Sequence, residues 1–181
     1  MGQIITLTGA PGTGKTTIAK HMGYPLVQST TTREPRASDL PGEYEYLERA
    51  DFDHDQAWGA FLWGLEYDGN HYGTKSEVVD KALASSGTHT MILVPEVVPQ
   101  LLNYAGTKKV LPIYILSPLE EVLRSRMKNR GDKPESIERR LRESKTWDGQ
   151  AGRLAIPYFF ITNQRTIEEA VEDIKRAERV L

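Results

Sequence analysis

Two rhythms of apolar and polar positions organise the chain. Short apolar, partly β-branched runs at Gln3–Thr8 (QIITLT), 91–97 (MILVPEV), 111–116 (LPIYIL) and 158–162 (YFFIT) have the length of buried strands. Helical-period stretches, beginning with the amphipathic Lys15–Met22, lie between or after them. Strands alternating with helices predict an α/β fold with a mainly parallel sheet flanked by helices. Helix starts are marked by capping boxes: Thr74 with Glu77, Ser117 with Glu120 and Pro118 at the first helical position, and Thr166 with Glu169. Between residues 32 and 87 the texture turns polar, aromatic and turn-rich, which reads as an insert hanging off the sheet. Its acids at 43, 45, 48, 51, 53 and 55 read as a solvated face rather than a ligand set.

Composition narrows the field of functions. At 181 residues one domain is expected, and no apolar run approaches the roughly 20 residues of a membrane-spanning helix. The start of the chain lacks a secretory signal pattern, and the absence of cysteine excludes disulfides, thiol catalysis and cysteine metal sites. A soluble, cytoplasmic protein without a membrane partner is the expectation. A net charge of -2 gives no global field favouring nucleic acid, so any anion site must be a local arginine cluster.

Residues 9–16, GAPGTGKT, fit the pattern G-x-x-x-x-G-K-[ST] between a predicted strand and a predicted helix. In such a loop the glycines turn backbone N–H groups onto a polyphosphate at the positive end of the helix. Lys15 then balances the β- and γ-phosphates, and Thr16 offers a hydroxyl to Mg²⁺. Gly12, Thr13, Gly14, Lys15, Thr16 and Thr17 are the expected ATP contacts. A plain glycine-rich turn would join strand to helix as well, but it would not require Lys15 and Thr16.

A second anion site is suggested by STTTREPR at 29–36, where Arg33 and Arg36 sit three residues apart in a proline-bounded segment. Guanidinium groups pair bidentately with phosphate oxygens. Tyr44 and Tyr72 could add hydroxyl donors, or serve as packing residues. At this point the sequence resembles the guanylate kinases, a family of nucleoside monophosphate kinases. The resemblance rests on GAPGTGKTT at 9–17, STTTREPR at 29–36, GEYEY at 42–46, GNHYGT at 69–74, RSRMKNRG at 124–131 and IERRL at 137–141, in the family's order. It implies a P-loop kinase fold with a core of 1–31 and 88–181, an insert at 32–87 binding the nucleoside monophosphate, and a helical lid at about 126–143. It also implies transfer of the γ-phosphoryl group of MgATP to a (deoxy)nucleoside monophosphate, GMP or dGMP by the resemblance alone, in a monomer or homodimer with small-molecule nucleotide substrates.

By the same resemblance Arg33, Arg36, Tyr44 and Tyr72 hold the acceptor's phosphate, while Ser29 and Thr74 touch its base. Aligning Tyr44 takes a one-residue deletion after Arg36. Arg126 and Arg130 share a helix face, with Arg140 on the next helix; they are solvated surface arginines or, as the family implies, lid arginines that neutralise the transferred group. Arg124, Lys128, Arg139 and Arg142 gain no such support. Asn163 falls where the family approaches adenine, or is a turn residue. Glu96 orients a metal-bound water, or is a plain strand-end carboxylate.

Two positions depart from the family. Guanine presents N1–H and an exocyclic amino group side by side, and the family meets them with a Glu after the F-[IL] pair and an Asp on the strand at 91–97. Here those positions are Trp63 and Val94. Glu66 could substitute only if a bulge or helical turn brought it round. A base other than guanine, with Trp63 stacking on it or filling space, is therefore expected. A non-catalytic protein-binding module of the same family, or a kinase of a phosphorylated sugar, are the competing readings.

Overall fold

The computed structural model describes residues 2–129 and 131–179. In chain order the elements are β1 (Gln3–Thr8), α1 (Lys15–Met22), β2 (Ser29–Thr31), β3 (Tyr44–Tyr46), α2 (Arg49–Ala57), β4 (Phe61–Tyr67), β5 (Asn70–Lys75), α3 (Ser76–Ala84) and β6 (Thr88–Ile92). There follow a 3-10 turn (Pro95–Val97), α4 (Val98–Ala105), β7 (Val110–Leu116), α5 (Glu120–Asn129), α6 (Pro134–Ala151), β8 (Phe159–Thr162) and α7 (Ile167–Glu178). One sheet has the order β6-β1-β7-β8, with β7 and β8 parallel; the other has the order β3-β2-β5-β4. The expected α/β architecture is present.

The chain forms two compact units. One is built from the chain up to Ile5 with Tyr24–Met91 and Pro99–Val110; the other from Thr6–Gly23, Ile92–Val98 and the chain from Leu111 on. In the second, Ile113, Tyr114 and Ile115 of β7 are fully buried, as a run of this length requires in a central strand. Helix α7 buries Ala170, Val171, Ile174 and Ala177, a single stripe at helical spacing. Leu123 and Met127 of α5 meet Ile137 and Leu141 of α6. The other unit holds the β3-β2-β5-β4 sheet, whose first strand along the chain starts at Ser29.

Local differences from the sequence reading have physical causes. The run at 91–97 is not one strand: β6 starts earlier, at Thr88, and stops at Ile92, because Pro95 lacks an N–H and opens the 3-10 turn instead. Of the three capping boxes, Thr166–Glu169 forms with both reciprocal bonds. Thr74 does not cap: it lies within β5, and α3 starts at Ser76 with no side-chain cap. The Ser117 hydroxyl is buried without a partner among the described residues, while Asp148 accepts from the Ser117 N–H and from the Tyr114 hydroxyl, each at 3.0 Å.

Candidate active site

The loop after β1 enters α1 through Gly14, a left-handed residue at φ 96°; Gly12 is left-handed too, at φ 88°. The N-terminus of α1 has no side-chain cap and no acid in its first turn, so its positive end is left for an external anion. Lys15 folds back over the loop, its Nζ donating to the carbonyls of Gly9 at 2.7 Å and Ala10 at 3.0 Å. Thr13 is buried and closes the loop by donating its hydroxyl to Ala10. Thr16 is half-buried and Thr17 exposed on the first turn of α1.

Asn163, just past β8, is 1% exposed, and its Nδ2 donates to the Thr13 carbonyl at 3.0 Å. Arg126 of α5 donates through Nη2 to the Asn163 carbonyl at 2.8 Å. Its Nη1 is buried with no partner among the described residues, and burial lowers the guanidinium's pKa from its ordinary value. The residue as a whole is half-buried, so it is this one nitrogen, not the whole cation, that is cut off from water. With the uncapped helix start, it leaves donors that an anionic ligand can take up. Arg140 of α6 is paired with Asp132 at 2.6 Å. Arg130 lies outside the described residues.

Among the described residues no group of three His, Asp or Glu is placed to hold a metal. The half-buried Thr16 hydroxyl on the first turn of α1 would stand beside a Mg²⁺ carried by the nucleotide's own oxygens. Glu96 is exposed in the 3-10 turn, close enough to Tyr114 and Tyr158 to contribute to raising their pKa values, although burial is the larger cause for both.

In the other unit, the four-stranded sheet sorts its side chains by register. Ser29 lies opposite Tyr44, and Thr31 opposite both Tyr46 and Tyr72. Trp63 lies opposite Thr74, and Leu65 opposite Tyr72. Partners in register share a face, so Tyr44, Ser29, Thr74 and Trp63 form one rung and Tyr46, Thr31, Tyr72 and Leu65 the next. The Ser29 and Thr74 hydroxyls are 3.3 Å apart, and Trp63 is 5% exposed. The arrangement depends on a bulge: Phe61 pairs with Lys75 but Trp63 with Thr74, so one extra residue, Leu62, carries Trp63 onto the Thr74 face. Glu66 pairs with His71 on the opposite face and is 64% exposed, so no bulge delivers it to the Trp63 rung. That opposite face is covered by α2, whose buried Phe52 stacks on Phe61 at 4.6 Å.

Arg33 is 7% exposed and lies over the Tyr44 ring at 5.2 Å. Its Nη2 donates to both oxygens of Asp39 at 3.0 Å. Asp39 also accepts from the Tyr46 hydroxyl and the Arg36 N–H, each at 2.7 Å. The Arg36 side chain is exposed. Asp39 was not foreseen: in sequence it is an acid in a polar turn, and only its spacing from the two arginines could have singled it out. Burial pushes the Asp39 carboxyl up, but the Tyr46, Arg36 and Arg33 bonds outweigh it and hold it below the ordinary carboxylate range. A depressed pKa contributes stability that is present above the unfolded value of about 3.9 and lost as pH falls through the folded value. Urea unfolding between pH 7 and pH 3 is expected to show a shallower acid loss for Asp39→Asn than for the wild type; equal slopes would remove the charge from this account.

A glycine-rich loop with Lys and Thr at a bare helix start, on an α/β sheet, places the chain among the P-loop nucleotide-binding proteins. The sequence model described as Guanylate kinase matches residues 1–179. Similar chains include guanylate kinases of Neisseria gonorrhoeae, 36% identical over 80% of this chain and 73% of that one, and of Neisseria meningitidis serogroup A, 33% identical over 96% and 85%. A guanylate kinase crystal structure from Anaplasma phagocytophilum shares the fold at a TM-score of 0.73 and 21% identity, covering 99% of this chain and 85% of that one. The chain belongs to the guanylate kinase family, ATP-dependent nucleoside monophosphate kinases that work with Mg²⁺. Among the described residues no helix is long and apolar enough to cross a membrane.

Proposed function

We propose that this kinase phosphorylates a nucleoside monophosphate whose base is not guanine. The related chains are named guanylate kinases, which makes GMP the default acceptor. The observation that weighs against it is Trp63: a buried indole, which carries no hydrogen-bond acceptor, stands on the rung of Ser29 and Thr74. Val94, ahead of the 3-10 turn, supplies no carboxylate either. Guanine's two adjacent donors would meet neutral hydroxyls in place of a carboxylate, and each donor left unpaired costs about 1–3 kcal/mol, or roughly 5- to 150-fold in affinity.

In this reading Arg33, Arg36, Tyr44 and Tyr72 hold the acceptor's phosphate, and the Ser29 and Thr74 hydroxyls touch its base. Lys15 and the loop N–H groups hold the polyphosphate of ATP, and Arg126, Arg130 and Arg140 neutralise charge spread over the transferred group. Bound Mg²⁺ supplies further charge neutralisation at the phosphates, with Thr16 at its side and Glu96 as a candidate for an outer water. An acceptor screen at saturating MgATP, read by ADP release over ribo- and deoxynucleoside monophosphates and ribose phosphates, tests it. Another nucleotide is expected to exceed GMP and dGMP at least tenfold in kcat/KM. GMP in first place would overturn the base assignment, and a ribose phosphate in first place would favour a sugar-phosphate kinase.

A further inference from the structure

The sequence resemblance gives Asn163 an adenine contact, but its side chain is engaged elsewhere. It is 1% exposed, and its Nδ2 donates to the Thr13 carbonyl at the turn of the phosphate loop. That bond fixes the carboxamide's orientation, since an oxygen in the same place would face the Thr13 oxygen. The fit is close: a Cβ on Gly14 would overlap Asn163 Nδ2, so a side chain at 14 would push the carboxamide out of place besides straining the left-handed backbone. The backbone of the same residue engages a second element, because the Asn163 carbonyl accepts from Arg126 Nη2.

We infer that Asn163 is a positioning residue that braces the phosphate loop and seats Arg126 at the same point, acting on the polyphosphate rather than on the base of ATP. Two atoms at this junction, Asn163 Oδ1 and Arg126 Nη1, are buried without partners among the described residues. The loop and the arginine therefore share one anchor. Freeing the Thr13–Gly14 peptide loosens the N–H groups that would face phosphate. The carbonyl on which Arg126 rests is held by the same residue, so both change together. The inference rests on the reading of the loop as the ATP polyphosphate site.

Binding of inorganic tripolyphosphate in the presence of Mg²⁺, measured by calorimetry, separates the two roles because the probe has no base. Asn163→Ala and Asn163→Asp are compared with the wild type, after circular dichroism establishes which variants fold. Asp keeps the volume of Asn but replaces the donor by an acceptor. Each folded variant is expected to bind tripolyphosphate about 5- to 150-fold more weakly, the range for loss of one buried hydrogen bond. The ratio of kcat/KM for ATP to that for GTP is expected to stay within about twofold of wild type, both falling together. Tripolyphosphate affinity equal to wild type in a folded variant would overturn the inference, as would a loss confined to ATP with a collapsed ATP-to-GTP ratio. A wild type that does not bind tripolyphosphate would instead overturn the reading of the loop itself.

Discussion

Lys15→Ala is expected to lower kcat on the order of 10³-fold while leaving a folded protein. The Nζ of Lys15 sits over the loop on the Gly9 and Ala10 carbonyls, within the glycine-rich turn at the bare start of α1. In phosphoryl transfer there is little covalent chemistry for side chains to perform, and the rate depends on positioning and on charge placed where the transferred group develops it. Removing one preorganised donor from such a site costs about 10²–10³-fold, and Lys15 carries a full charge besides. The measurement is kcat for the best acceptor at saturating MgATP, with a thermal melt as the folding control. Retention of more than a tenth of wild-type turnover would remove Lys15 from the chemistry. A wild type without turnover on any acceptor, yet binding a protein partner, would point to a non-catalytic module.

Trp63→Glu is expected to raise kcat/KM for GMP at least 100-fold relative to wild type and to reverse the preference against the best natural acceptor. A carboxylate on the Ser29–Thr74 rung accepts both guanine donors, and a hydrogen bond to a charged group contributes about 1.5–3 kcal/mol. Two such bonds amount to roughly 3–6 kcal/mol, or about 10²–10⁴-fold. The change also removes a buried indole, which costs about 3–5 kcal/mol of stability in truncation series. The free variant should therefore melt earlier, and GMP should raise its melting temperature more than it raises that of the wild type, by linkage. An unchanged GMP rate in a folded variant would show that position 63 does not read the base. Val94 stays as it is, so the recovered GMP activity need not be complete.

How far the sequence could be read depended on whether the signal was local. Gln3–Thr8 and Lys15–Met22 emerge with the expected limits because strand, loop and helix start are each written in adjacent residues. The Thr166–Glu169 box forms for the same reason. Thr74 was misread as a cap because its spacing to Glu77 is equally compatible with a strand end, and pairing with Trp63 across β4 and β5 decides the matter. No local pattern marks Asp39 as the partner of Arg33, six residues away around a turn, or Asp148 as the partner of Ser117, which is 31 residues distant. Asn163 shows the same limit at greater range. Its bond to Thr13 spans 150 residues and joins two segments whose sequences are each complete as a turn and a loop.

The bulge at Leu62 lets one strand do two jobs that strict alternation would set against each other. Without it Phe61 and Trp63 would share a face, and the residue that anchors α2 would be tied to the one that meets Thr74. With it the two positions are decoupled: Phe61 supports the helix on one face, and the stability lost when the indole at 63 is replaced is a cost borne on the other. On the proposed reading of position 63, a change of substrate is then a change on one face of one strand, made without moving the support of the helix on the other.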